Sequence, residues 1–319
     1  MATKKSTKST KSSKSSKGTA AEEPVPLRRQ CGAMQAHFRL LEEDPNFRMR
    51  QANLERAVAR RMASGATAKT APTVIPVVVH VVFNSNVENI STAQIKSQIK
   101  VLNRDFQAKN PDKSKVPTPF KGLVADARIK FVLANKDPDG KPTSGITRKK
   151  TTRTSFGSND SVKFTVLGGQ DAWPRDKYLN IWVCQLGGGL LGYAQFPGGQ
   201  PETDGVVILH TAFGTTGTAK PPFNLGRTTT HEVGHWLNLR HIWGDTEDCS
   251  GSDFVADTPN AAGPNFGTPS FPHISCNNGP NGDMFMNYMD YVDDAAMFMF
   301  TPQQVERMAA TLENERDTF

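Results

Sequence analysis

Three histidines and one glutamate carry the chemistry legible in this 319-residue chain: His231, Glu232, His235 and His241, in the pattern H-E-x-x-H-x-x-N-x-x-H. Residues four apart on a helix stand on one face, a turn apart. His231 and His235 can therefore offer two imidazole nitrogens to one cation. Zinc takes such nitrogens, and three protein ligands leave its fourth position open, as in a catalytic rather than a structural site. Glu232 would lie beside the metal, placed as a general base toward water that the metal acidifies. His241 lies too far along to share the helix face, so the chain must turn back. Asn238 stands where that turn falls, and asparagine is second to glycine in tolerating left-handed backbone. A bare H-E-x-x-H also arises by chance on ordinary helices. The third histidine, with a turn-permissive residue before it, argues for the zinc site.

A second segment, Asn287-Tyr288-Met289-Asp290-Tyr291, agrees with the first. Zinc peptidases with the extended motif, the metzincins, carry a methionine-bearing turn beneath the metal. Met289 resembles that methionine, and Tyr291 resembles a tyrosine able to swing toward the metal and help stabilise an oxyanion. Met284, Met286, Met297 and Met299 read instead as core filler. The runs HEVGHWLNLRHIWGD (231–245) and CNNGPNGDMFMNYMDY (276–291) resemble the pappalysin family of metzincins, on its ulilysin-like bacterial branch. The similarity extends from about residue 28 to the C-terminus.

That resemblance implies an α+β metzincin-type zincin: a mixed twisted sheet, a zinc-binding active-site helix and an irregular C-terminal subdomain. It implies a zinc-dependent endopeptidase of secreted type, made as a latent proenzyme and acting on peptides or proteins. In such enzymes the sheet edge above the cleft pairs with extended substrate, and Leu191, Gly192, Tyr193 and Ala194 are the candidates for that edge. Four cysteines allow three fully paired connectivities; the resemblance implies a Cys249–Cys276 disulfide, worth roughly 3–4 kcal/mol. Cys184 reads as a buried free thiol in an apolar strand. Cys31, in Arg28-Arg29-Gln30-Cys31-Gly32, resembles a latency cysteine whose thiolate takes the fourth zinc position, and the neighbouring arginines are expected to lower its pKa. Calcium is implied near the acidic run after the zinc motif, with Asp253, Asp257 and Thr258 as candidate ligands; a solvated acidic loop is the alternative. A second disulfide common in relatives would fall at Thr268 and Ala296, where this chain has no cysteine.

These residues need a scaffold. Val74 to Phe83 is a near-continuous apolar run, as in a buried strand. Ser91 with Gln94 predicts a capping box for a helix through about residue 107, with Ile95, Ile99, Leu102 and Phe106 on its apolar face. Further strands are expected at about 127–134, 178–184 and 205–210. Residues 28–62 read as helical, with Leu40, Leu41, Phe47 and Leu54 among many charges. Residues 63–72 read as a linker of small residues, with Arg60-Arg61 before it as a candidate cleavage site. Thr301, Pro302 and Gln304 predict the start of a final helix.

Charge divides the chain further. Residues 1–20 carry six lysines and no acid, residues 21–70 a net +3, and residues 71–319 a net −2. The sequence pI of about 9.2 thus belongs to the N-terminal segment. The organisation expected is a disordered basic tail (1–20), a pro-segment bearing the cysteine switch (21–70) and a catalytic domain (71–319), itself divided into upper (71–238) and lower (239–319) subdomains. No apolar run spans a membrane and no signal peptide is visible, so an extracellular location rests on the resemblance alone. No specific nucleic-acid partner is expected, and a monomer is. Two other readings stay open: a zinc amidohydrolase on small substrates, and a polyanion-binding protein acting through the basic tail.

Overall fold

The computed structural model describes residues 1, 2, 26, 28–64 and 71–319. Most of the basic tail and most of the small-residue linker lie outside the described residues.

The central sheet is built on β1 (Thr73–Phe83), whose β-branched residues from Val77 to Val82 are buried on both faces, as a parallel central strand requires. Along one side β1 pairs first with β2 (Ile129–Leu133) and then with β3 (Ile146–Lys150); along the other it pairs with β4 (Leu179–Cys184). The path continues through β6 (Val206–Leu209) to the edge strand β5 (Gly192–Ala194), the one antiparallel member. The expected strands form where the apolar runs placed them. β3, with sequence Ile-Thr-Arg-Lys-Lys, was not expected: none of its residues is fully buried and it carries no apolar pattern.

Helix α3 (Thr92–Asp105) begins at Ser91, whose hydroxyl accepts from the Gln94 amide at 3.1 Å. The expected box is only half made. The Gln94 side chain turns away to donate to the carbonyls of His210 and Phe213 and to accept from the Thr218 amide. Buried backbone groups of a distant loop claim it, because orphaning them costs more than an unmade return bond at a helix start. Helix α4 (Arg227–Trp236) carries the first zinc-motif histidines and packs on β5, β6 and α3. The final helix α5 (Pro302–Asn314) starts with the complete Thr301/Gln304 capping box.

The region read as helical over 28–62 is an extended stretch followed by two helices, α1 (Ala33–Glu43) and α2 (Pro45–Ser64). The break falls at Asp44, held extended at φ −126°, because the following proline disfavours helical backbone before it. α2 lies against α5: Glu55 takes a two-pronged bond from Arg307 (2.9 and 2.8 Å), and Arg61 pairs with Glu306 and Glu313. Arg60-Arg61 is thus helical, with Arg61 engaged; a protease needs such a bond unwound. Ala33, Leu40 and Phe47 join one continuous apolar core with the sheet, α4 and residues 284–312. Among the described residues no helix is long and apolar enough to cross a membrane.

Candidate active site

His231 and His235 lie a turn apart on α4, and His241 returns after Asn238, whose φ is +72°. Each ring is fixed through Nδ1. His231 donates to the Tyr288 carbonyl at 2.7 Å, His235 to the Leu239 carbonyl at 2.8 Å, and His241 to the Asp245 carboxylate at 2.5 Å. With that proton given to an oxygen, each Nε2 presents a lone pair. The Nε2 of His235 is 3.1 Å from that of His231 and 3.0 Å from that of His241. Burial, with the neighbouring rings, drives His231 and His235 well below their usual pKa. Converging neutral lone pairs repel unless a cation lies between them. Nitrogens on tetrahedral zinc sit roughly 3.3 Å apart when Zn–N is about 2.0–2.1 Å, so the donor set fits zinc.

Cys31 completes the group. Its sulfur and one nitrogen from each of His231, His235 and His241 all lie within 4.8 Å of one another, the one such cluster among the described residues. The thiol also faces Glu232, donating to Oε2 at 3.3 Å. The expectation that arginines lower the Cys31 pKa fails. Burial pushes it well up, and Glu232 adds to the effect. The arginines are elsewhere: Arg28 lies over the Phe266 ring and Arg29 turns into a pocket beside Asp294.

Glu232 is buried, and burial pushes its carboxyl up to about 8. It is hemmed in by β5: a Cβ on Gly192 would stand 2.9 Å from Glu232 Cγ, so only glycine lets the edge strand pass this close. Tyr291 stands beside the cluster, 4.9 Å from the His241 ring and 5.7 Å from the His231 ring between centroids. Burial keeps its phenol protonated, and the hydroxyl lies 3.5 Å from the Cys31 carbonyl. Trp243 stacks flat on His241 at 4.4 Å. Met289 lies against α4, its Sδ 2.5 Å from where a Cβ on Gly234 would stand. Gly234→Ala should therefore displace Met289 and cost about 1–3 kcal/mol by overpacking, read as a lowered melting temperature; an unchanged melt would show that Met289 moves aside freely.

The cleft edge is already paired. The Leu191 amide donates to the Gln30 carbonyl at 3.0 Å and the Gly32 amide to the Gly192 carbonyl at 2.9 Å, so residues 30–32 run parallel to β5. Arg29 is buried against Asp294 at 2.7 Å and also donates to Thr228 Oγ1 (2.9 Å) and the Val292 carbonyl (3.2 Å). Asp294 in turn accepts from the amides of Leu225 and Arg227 at the start of α4. Asp290, four residues earlier in the chain, instead binds Asn265.

The remaining candidates serve other contacts. Asp253 accepts from the Thr258 hydroxyl at 2.6 Å, and Asp257 accepts from the Thr301 hydroxyl and the Gln303 amide, holding the start of α5. These bonds give the proposed calcium ligands a structural use. Asp245, the last residue of the run 231–245, orients His241. Cys249 and Cys276 form the expected disulfide, and Cys184 is a buried free thiol. Thr268 and Ala296 both line one pocket, with Phe271 and Phe298.

Residues 165–313 match the peptidase family described as pregnancy-associated plasma protein-A. An extracellular metalloprotease of Pyricularia oryzae is 31% identical over 291 residues, covering 87% of this chain and 89% of that protein. Extracellular metalloprotease 1 of Coccidioides posadasii is 30% identical over 310 residues, covering 91% of each. Among solved structures, a mutant of Tannerella forsythia promirolysin superimposes with a TM-score of 0.83 at 47% identity, covering 91% of this chain and 95% of that one. Mature mirolysin in complex with a cleaved peptide gives 0.74 at 55% identity, covering 75% and 91%. The fold and these similarities together make the chain a zinc metalloendopeptidase with a metzincin-type fold, and it belongs to the pappalysin family.

Proposed function

We propose that the protein is a latent endopeptidase of extracellular type, in which His231, His235 and His241 hold zinc and Cys31 occupies the remaining metal position. Residues 21–70 form the pro-segment and residues 71–319 the catalytic domain. The observation that carries this reading is the path of Arg28–Gly32. One short segment pairs with the sheet edge, sets a thiol among three histidine nitrogens and seats an arginine on a buried carboxylate. A substrate needs the same three features, so the segment excludes it.

Zinc, when bound, acidifies water and polarises the scissile carbonyl. Glu232, freed of the Cys31 thiol, accepts the proton of the attacking water and passes it to the leaving nitrogen. The protonated Tyr291 phenol donates to the developing oxyanion. Leu191 and Gly192 offer substrate the backbone groups that now hold Gln30 and Gly32. Asp294 selects a basic side chain. The names of the fungal relatives support an extracellular site of action, and the promirolysin and mirolysin structures support a precursor and a mature form.

The test is intact mass against time for the full-length chain with zinc, beside Glu232→Ala. The wild type should lose an N-terminal fragment ending near residues 60–72 while the variant keeps its mass; equal behaviour overturns self-processing. For the subsite, replacing arginine by alanine in a cleaved peptide should lower kcat/KM at least about 100-fold, the order expected when a buried ion pair loses one partner. Indifference to that replacement removes Asp294 from specificity.

A further inference from the structure

The pro-segment brings two arginines to the cleft, and each ends on a buried carboxylate. Arg29 meets Asp294 on one flank of Cys31. On the other flank α1 carries Arg39 to Asp160, with a further contact to the Ser158 carbonyl at 3.5 Å. Asp160 is itself a built feature. It is buried and held in left-handed backbone at φ +62°. Lys163, also buried, pairs with its Oδ1 at 2.7 Å and is fixed by donating to the Thr203 carbonyl at 2.6 Å. The same ammonium lies over the rings of Trp182 and Tyr193, 5.3 and 5.0 Å from their centroids. Burial alone would raise the Asp160 pKa, but Lys163 and Arg39 hold it below the usual carboxylate range.

The position matters as much as the chemistry. Tyr193 is the middle residue of β5. A Cβ on Gly32 would stand 3.2 Å from Tyr193 Cβ and 3.3 Å from Ser158 Cβ. The loop holding Ser158 and Asp160 thus lies against the pro-segment immediately past Cys31, as Asp294 lies against Arg29 immediately before it. When α1 departs, Oδ2 of Asp160 loses its arginine while Lys163 continues to hold Oδ1 in place.

We propose that Asp160 is a second specificity-determining carboxylate, a subsite for a basic side chain on the flank of the cleft opposite Asp294. This rests on the reading of Arg28–Gly32 as lying along the substrate path. The enzyme then favours peptides carrying an arginine or lysine on each side of the scissile bond, and Arg39 in the precursor stands in for one of them.

The experiment is a peptide-library cleavage profile of the full-length chain, incubated with zinc until its mass is constant, beside Asp160→Asn treated identically. The wild type should enrich arginine and lysine on both sides of the scissile bond. In Asp160→Asn the ratio of kcat/KM for arginine over alanine on the far flank should fall about tenfold, the order for a hydrogen bond to a charged group. The loss should lie in KM, as for binding made equally in ground and transition states. Enrichment on the Asp294 flank alone, or far-flank enrichment that survives the substitution, overturns the proposal and leaves the peptidase reading intact. A wild type that cleaves nothing overturns both. If Asp160→Asn shows no cooperative melt, the wild-type profile decides by itself.

Discussion

Glu232→Ala should lower cleavage of casein and short peptides by about 10²–10⁴-fold, the range for losing a positioned general acid–base group, while zinc content stays at one per chain. The separation of effects follows from the site. The zinc candidates are held through Nδ1 by Tyr288, Leu239 and Asp245, and Glu232 takes part in none of those bonds. Alanine at this position continues α4 and removes a carboxyl that burial already disfavours in its charged form. Metal analysis and kcat/KM on the same preparation decide the matter. Turnover within threefold of wild type would sink the proton-transfer role, and loss of zinc would make Glu232 part of the metal's support instead. A chelator should abolish activity in the wild type, with restoration on adding zinc.

Cys31→Ala should raise the initial rate of self-processing of the full-length chain at least about tenfold, the order for losing one charge-assisted contact. The sulfur stands among the histidine nitrogens and against Glu232, so removing it opens the metal position and frees the proton carrier together. Activation should be partial at first. Arg29 on Asp294, Arg39 on Asp160 and Glu55 on Arg307 still tie the segment down. Time-resolved intact mass measures the first cut, and a rate equal to wild type would show that strand pairing and the arginines alone maintain latency.

Much of the site was legible because it is local. The i, i+4 pair on α4, the left-handed Asn238, the buried run of β1 and the Thr301/Gln304 cap depend on contacts within a few residues, which helix and strand periods encode. The Cys249–Cys276 pairing and the role of Met289 came from family resemblance instead, carried by long motifs. β3 escaped notice because a half-buried strand of one isoleucine followed by threonine, arginine and two lysines has no apolar period; it is held by parallel pairing with β1. Gln94 was read as closing its own helix start, yet distant carbonyls claim it.

The sequence by itself determined the zinc motif, the apolar strands β1, β2, β4 and β6 and the starts of α3 and α5, since each is set by residue type and spacing over one or two turns of chain. Only the tertiary structure decided what fills the cleft. Arg29 meets Asp294 across 265 residues and Cys31 meets Glu232 across 201. Such pairs are chosen by where the β5 edge runs beside α4, and their chemistry depends on burial. Burial raises the pKa of the thiol that the adjacent arginines were expected to lower, because removing water raises the cost of charge and those arginines point elsewhere.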